Sequence, residues 1–61
     1  MNNILQVRYK IASGVLDKML FETKAIEAAL PLNMGDNKSL EAYQLVERAK
    51  KLLKTAKEKL K

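Results

Sequence analysis

The stretch LPLNMGDNKS in the middle of the chain is the feature that most constrains the fold. Its proline, Pro31, cannot continue a helix and disfavours helix at the residue before it. The Gly-Asp-Asn run that follows is typical of turns. Asp36, Asn37 and Ser39 are each suitable as the N-cap of a following helix. We therefore place a loop at about residues 31–37.

Two long helices are predicted on either side of this loop, at about residues 3–30 and about residues 38–60. At about 100° per residue, the apolar residues of the first helix share one broad arc. That arc holds Ile4, Leu5, Ile11, Ala12, Val15, Leu16, Met19, Ile26 and Leu30. The second helix has a cleaner apolar stripe, which holds Ala42, Leu45, Val46, Ala49, Leu52, Leu53, Ala56 and Leu60. The pattern predicts an all-α fold, an antiparallel two-helix hairpin in which these two stripes meet.

The alanines of the second stripe support two interpretations. Ala42, Ala49 and Ala56 recur every seven residues, and small residues at that spacing let two helix backbones approach closely. Alternatively, alanine is present because it is a good helix former. We favour the packing interpretation because the alanines share their stripe with leucines.

The length of the chain limits how stable a hairpin of this kind is alone. Its 61 residues form a single small domain, residues 1–61, and chains of this size usually need a disulfide, a metal or another chain. There is no cysteine and no histidine, and no acidic run has calcium-loop spacing, so we predict no disulfide and no metal site. By elimination, the hairpin is completed by dimerisation into a four-helix bundle or by a partner protein.

The first helix offers more apolar surface than one neighbouring helix can cover. A second row, Val7, Gly14, Phe21 and Ala28, lies beyond the main arc at seven-residue spacing. Leu20 also points away from the centre of the arc. Uncovered apolar surface on a small protein marks a protein contact. We therefore predict partner binding, by a second copy or by a different protein, through Val7, Leu20, Phe21 and Ala28.

The C-terminal end, VERAKKLLKTAKEKLK, is rich in lysine, and the whole chain has a net charge of +5. On a helical wheel, a line of lysines faces away from the predicted stripe, namely Lys50, Lys54, Lys57 and Lys61, with Lys51 beside them. We interpret this line as a solvated face, because its charges complement the helix dipole and nearby glutamates. The alternative is contact with nucleic acid phosphates. Membrane binding is less favoured, because the apolar face lacks Trp and Phe.

Catalysis is not expected from this sequence. Without His or Cys, a nucleophile or base has to come from other side chains, and neither Ser13 nor Ser39 has a base nearby in sequence. Two packed helices form no deep pocket, so we predict no catalytic residue, no cofactor and no small-molecule substrate. No signal peptide is recognised, and no apolar segment reaches the roughly 20 residues of a membrane span. A cytoplasmic location is therefore expected.

The two-helix layout resembles the helical-hairpin co-chaperones and needle subunits of type III secretion. The segment SLEAYQ, Ser39–Gln44, is similar to the opening of a needle subunit's second helix. The layout is equally similar to small RNA-binding hairpin dimers. The paired-proline turn of needle subunits is missing, and no functional residue is carried over from either family. We expect a small, non-enzymatic protein–protein interaction factor of bacterial or phage scale, acting as an accessory, inhibitor, assembly or chaperone-like factor.

Overall fold

The structure, a computed structural model, describes residues 3–61 and consists of two long helices joined by a short loop. Helix α1 spans Asn3–Ala29 and helix α2 spans Asn37–Lys59. The two helices pack side by side in opposite directions, so the predicted all-α two-helix arrangement is confirmed. α1 ends one residue before the predicted boundary, and α2 begins one residue before its own. The backbone extends over 55 × 15 × 11 Å, which corresponds to a single layer of two helices.

The loop reverses the chain through a tight turn that the sequence analysis did not predict. Leu32–Met34 form one turn of 3-10 helix, and the N–H of Met34 donates to the carbonyl of Pro31 at 3.1 Å. Gly35 closes the turn with a φ of 71°, in the left-handed region that glycine adopts without steric cost. Its N–H donates to the carbonyl of Leu32 at 3.3 Å. The sequence of the loop thus fixes where the chain turns back.

Asp36 is the N-cap of α2, so the structure selects one of the three predicted candidates. One carboxylate oxygen of Asp36 accepts from the N–H of Lys38 at 3.2 Å. The other accepts from the hydroxyl of Ser39 at 2.8 Å. Ser39 is one of two buried residues in the described part of the chain, with 6% of its surface exposed. The cap therefore satisfies both a free backbone donor and a buried hydroxyl.

Replacing this cap gives the first testable expectation. Asp36→Ala removes both hydrogen bonds and is expected to lower the free energy of unfolding by about 1 kcal/mol, and at most about 2 kcal/mol. Asp36→Asn keeps a capping oxygen and is the matched control, with a smaller loss. Urea unfolding followed by circular dichroism measures both. Equal stability of the alanine variant and the unchanged chain would contradict the role of Asp36.

The contact between the helices, here called the hairpin seam, follows a regular alternation of three- and four-residue steps. Every residue of the seam is buried or half-buried. On α1 and the residue that follows it, the seam consists of Ser13, Leu16, Leu20, Thr23, Glu27 and Leu30. On α2 and its C-cap residue, the seam consists of Ser39, Tyr43, Val46, Lys50, Leu53, Lys57 and Leu60. This is the spacing that keeps one face of each helix against the other in a coiled coil.

The seam is mixed in polarity and contains no fully buried apolar side chain within residues 3–61. Its most buried residue on α1 is Thr23, with 8% of its surface exposed. The hydroxyl of Thr23 donates to the carbonyl of Leu20 at 2.6 Å. Hydrophobic burial is the dominant favourable term in the free energy of folding. Because the seam buries little apolar surface, it contributes less folding free energy than the core of a typical domain.

Candidate interaction surfaces

The apolar side chains that a core would normally contain lie on one side of the two-helix layer. We call this side the open face. It consists of Ile4, Ile11, Val15, Met19 and Ile26 from α1, and of Leu45, Ala49, Leu52 and Ala56 from α2. The two helices contribute to one continuous surface, since Met19, Ile26, Ala49 and Leu53 line the same shallow groove. The exposed fractions reach 75% at Ile4 and 66% at Leu52.

The total accessible surface supports the conclusion that this face is uncovered. The chain exposes 5282 Å². A compact monomer of 6.9 kDa exposes about 4,000 Å² by the usual scaling of surface with mass. The hairpin therefore exposes roughly a third more surface than a self-contained globule of its size.

The α2 stripe predicted to meet α1 is only partly in the seam. Val46, Leu53 and Leu60 are half-buried against α1, but Leu45 and Leu52 are exposed by 59% and 66%. Ala49 and Ala56 are also exposed, so the predicted close approach of helix backbones at the alanine row was wrong for these two residues. The physical reason is a rotation of α2 about its axis, which brings lysines toward α1 and turns the alanine row outward.

The four residues predicted to bind a partner are not all on one surface. Val7 and Phe21 are exposed by 54% and 73%, and Ala28 is also exposed. Phe21 and Ala28 lie on the side of α1 opposite the open face, whereas Val7 borders the depression that Ile4, Arg8 and Ile11 line at the end of the open face. Leu20 does not point away from the hairpin as predicted; it belongs to the seam and lies beside Lys54 and the other lysine stems of α2. Its place in the seam follows from the three- and four-residue spacing with Leu16 and Thr23.

The lysine line is also divided by the structure. Lys50 and Lys57 do not face away from α1 as predicted, because their ammonium groups form ion pairs with Glu27 and Asp17 of α1. Lys51, Lys54 and Lys61 are exposed and make no ion pair with any residue of 3–61. Two lysines of the predicted line therefore form ion pairs between the helices, and the other three remain as charges at the surface.

Lys50 belongs to a cluster of three charged side chains, Glu27, Glu47 and Lys50. Its ammonium lies 3.1 Å from a carboxylate oxygen of Glu27 across the seam and 3.1 Å from one of Glu47 on its own helix. The second carboxylate oxygen of Glu27 is buried without a hydrogen-bond partner in the described part of the chain. Hydrogen bonds to Glu47 and then to Glu27 raise the pKa of Lys50. The pKa of Glu47 is lowered, first by its hydrogen bond with Glu27 and then by Lys50.

Two opposite charges, Arg8 and Glu22, lie within the open face. Arg8 borders a shallow depression with Ile4 and Ile11, and Glu22 borders the groove that contains Met19 and Ile26. Both side chains are exposed, and neither forms an ion pair with any residue from 3 to 61. A surface that covers this face thus meets one cation and one anion in an otherwise apolar strip.

Comparison with known proteins gives no assignment: no family model, no curated protein and no solved structure matches this chain. Neither of the two helices, as far as they are described, has the length and apolar character needed to cross a membrane. Within residues 3–61, no three acidic, cysteine or histidine side chains are grouped as metal ligands. The exposed surfaces of the hairpin are therefore the features from which its function is inferred.

Proposed function

We propose that this chain is a small protein–protein interaction module that docks through the open face and is completed by another protein chain. The main observation behind this proposal is that the usual distribution of polar and apolar residues between interior and surface is inverted in the hairpin. Within residues 3–61, the buried residues are Thr23 and Ser39, whereas large apolar side chains are exposed along the open face. Exposed apolar surface that is contiguous and rimmed by polar residues is typical of interaction sites.

The energetics favour the same conclusion. Full burial of a large aliphatic side chain stabilises by about 1.5–3 kcal/mol. The five α1 side chains of the open face are already partly covered, with exposed fractions from 42% to 75%, so covering the rest offers on the order of 5 kcal/mol. Because association costs about 4–15 kcal/mol in lost freedom, stable binding requires a partner that also covers the α2 side chains of the open face and adds apolar surface of its own. The hairpin seam holds the two helices in place for it.

The dependence of folding on concentration tests this proposal. If completion comes from self-association, a thousandfold dilution is expected to lower the thermal midpoint by about 10 °C or more. If it needs a different protein, the isolated chain is expected to melt broadly, without a cooperative transition, at every concentration. Circular dichroism melts combined with sedimentation measure both. A monomer that melts sharply at a midpoint independent of concentration would overturn the proposal.

A second candidate function is binding to nucleic acid phosphates through Lys51, Lys54 and Lys61. The observation that favours it is the exposure of these three lysines on one side of α2, on a chain of net charge +5. Lys50 and Lys57 of the predicted line are engaged with α1, so the phosphate contacts available are fewer than the sequence indicated. The docking proposal accounts for more of the exposed surface.

Salt dependence distinguishes this second candidate. Three phosphate contacts predict a binding constant that falls about 40-fold between 50 and 200 mM salt, at a slope of about −0.9 per contact. Replacing Lys51, Lys54 and Lys61 together by Gln is expected to abolish that dependence. Lys10→Gln on α1 is a control with one charge removed elsewhere. Fluorescence anisotropy with a labelled duplex measures it, and absence of binding at 50 mM salt would exclude this function.

A further inference from the structure

The open face of α1 contains a pattern that is symmetric about one residue. Val15 is at its centre, and along α1 the pattern runs as follows: Ile4, Arg8, Ile11, Val15, Met19, Glu22 and Ile26. The steps between neighbours are four, three and four residues on each side of Val15. The average of about 3.67 residues per turn is close to that of an α-helix, so the strip runs almost straight along α1. All seven side chains are exposed.

We infer that the chain that covers the open face is a second copy, with the two α1 helices packed antiparallel about a two-fold axis at Val15. This inference rests on the proposed function and names its partner. In that register Val15 meets Val15 of the second copy, Ile11 meets Met19, and Ile4 meets Ile26. A two-fold interface requires such self-complementarity, because residue i contacts j wherever j contacts i. Each large side chain of the strip then faces an apolar neighbour.

The charges in the strip provide the second line of argument. Arg8 and Glu22 are equally distant from Val15, so the antiparallel register places the Arg8 of each copy against the Glu22 of the other. Two identical ion pairs form, and each joins side chains that have no ion-pair partner within residues 3–61. A parallel arrangement would place Arg8 against Arg8, and like charges in contact at an interface cost several kcal/mol. The charges therefore suit a second copy of the chain, and they favour its antiparallel direction over the parallel one.

A single cysteine on the axis tests the register directly. The chain has no cysteine, so Val15→Cys introduces its one thiol. Two residues facing each other across a close helix pair lie within the separation that a disulfide spans. Under mild oxidation, Val15→Cys is expected to become mostly disulfide-linked dimer, and denaturant is expected to suppress the reaction. Phe21→Cys, at a position 73% exposed on the other side of α1, is the matched control and should remain largely monomeric.

Charge reversal tests the same register without a covalent bond. Arg8→Glu and Glu22→Arg are each expected to weaken self-association about tenfold or more, because each places two pairs of like charges together. In an equimolar mixture, one copy carries two glutamates and the other carries two arginines at these positions, so both contacts join opposite charges again and a one-to-one heterodimer with nearly the original affinity is expected. The double variant should dimerise by itself for the same reason. Sedimentation equilibrium measures all four samples.

The outcomes separate this inference from the proposed function. If the unchanged chain dimerises but Val15→Cys and Phe21→Cys oxidise equally, or if the mixed charge variants fail to associate, the register is overturned and the interaction module stands. If the unchanged chain is a poorly folded monomer, the second copy is excluded and a different protein is required. A monomer that folds cooperatively at high dilution overturns both proposals.

Discussion

Lys50→Glu is expected to unfold the hairpin at pH 7. The substitution replaces the cation between Glu27 and Glu47 by a third carboxylate, in a seam where the side chain of Glu27 is only 13% exposed. One oxygen of Glu27 already lacks a hydrogen-bond partner in the described part of the chain. Removing the cation from a half-buried charge cluster destabilises the hairpin by more than the net contribution of the ion pairs, because the remaining carboxylates stay uncompensated. We expect the far-ultraviolet circular dichroism of the variant to approach that of an unfolded chain.

The pH dependence identifies the cause. In the unchanged chain, the raised pKa of Lys50 contributes stability below its ordinary value of 10.5, and this stability is lost as the pH rises through the raised pKa. The lowered pKa of Glu47 contributes stability above its ordinary value of 4.5, lost as the pH falls through the lowered pKa. In Lys50→Glu the dependence of stability on acid pH is reversed, so that stability rises as the pH falls. Protonation of the carboxylates relieves the repulsion among them. Helicity is therefore expected to recover below about pH 4.

Two further variants serve as controls for this result. Lys54→Glu makes the same change of charge one helical turn away, at an exposed position outside the seam, and should leave the melt close to that of the unchanged chain. Adding Glu27→Lys to Lys50→Glu restores a cross-helix pair with reversed sign and is expected to recover much of the helicity at pH 7. A Lys50→Glu variant that melts like the unchanged chain at pH 7 would contradict the role assigned to the cluster.

The local features of the fold were predictable because a few residues determine them. Pro31 and the Gly-Asp-Asn run place the loop, since proline cannot continue a helix and glycine tolerates the left-handed conformation found at Gly35. The sequence predicted three candidates for the N-cap of α2, and it did not distinguish Asp36 from the other two. Local sequence does not show which candidate stands next to a buried hydroxyl, here that of Ser39.

The orientation of α2 was predicted incorrectly, for a reason that applies to two-helix proteins in general. Hydrophobic periodicity locates an apolar stripe, but it does not say whether the stripe faces the other helix or a partner. Here the stripe is divided: Val46 and Leu53 face α1, and Leu45 and Leu52 face outward. The three- and four-residue steps that join the seam were visible in the sequence, but about half of their positions are polar, and two of these, Lys50 and Lys57, were assigned to a solvated face.

Cross-helix charge matching favours this orientation. Lys57 reaches Asp17 and Lys50 reaches Glu27 only when α2 is rotated so that both lysines point at α1. These pairs join residues far apart in sequence, and identifying them requires the register of the hairpin. The register of an antiparallel pair depends in turn on the length and shape of the loop, including its 3-10 turn. A polar seam of this kind contributes more to the choice of one alignment of the two helices than to the free energy of folding. Buried polar residues have the same effect in coiled coils.

Substitution of two exposed side chains on α1 tests which surface of the hairpin is the docking surface. Ile26 lies in the open face, in the groove with Met19 and Leu53, and is 48% exposed. Phe21 belongs to the row predicted from the sequence and is 73% exposed on the side away from α2. Both positions are outside the seam, but Ile26 shares its groove with Leu53 of the seam, so the helicity of each variant is measured together with its association.

Ile26→Asp is expected to weaken association about a thousandfold, whereas Phe21→Asp is expected to change it little. A carboxylate placed in a covered apolar face loses its hydration without gaining a partner, and the burial of isoleucine is lost as well. Together these costs amount to about 4 kcal/mol, and each 1.4 kcal/mol is tenfold in affinity. Ile26→Ala, which removes only the side chain, should fall between. Sedimentation over a concentration series measures the effect, and the reverse order of the two aspartates would move the docking surface to the row of Val7, Phe21 and Ala28.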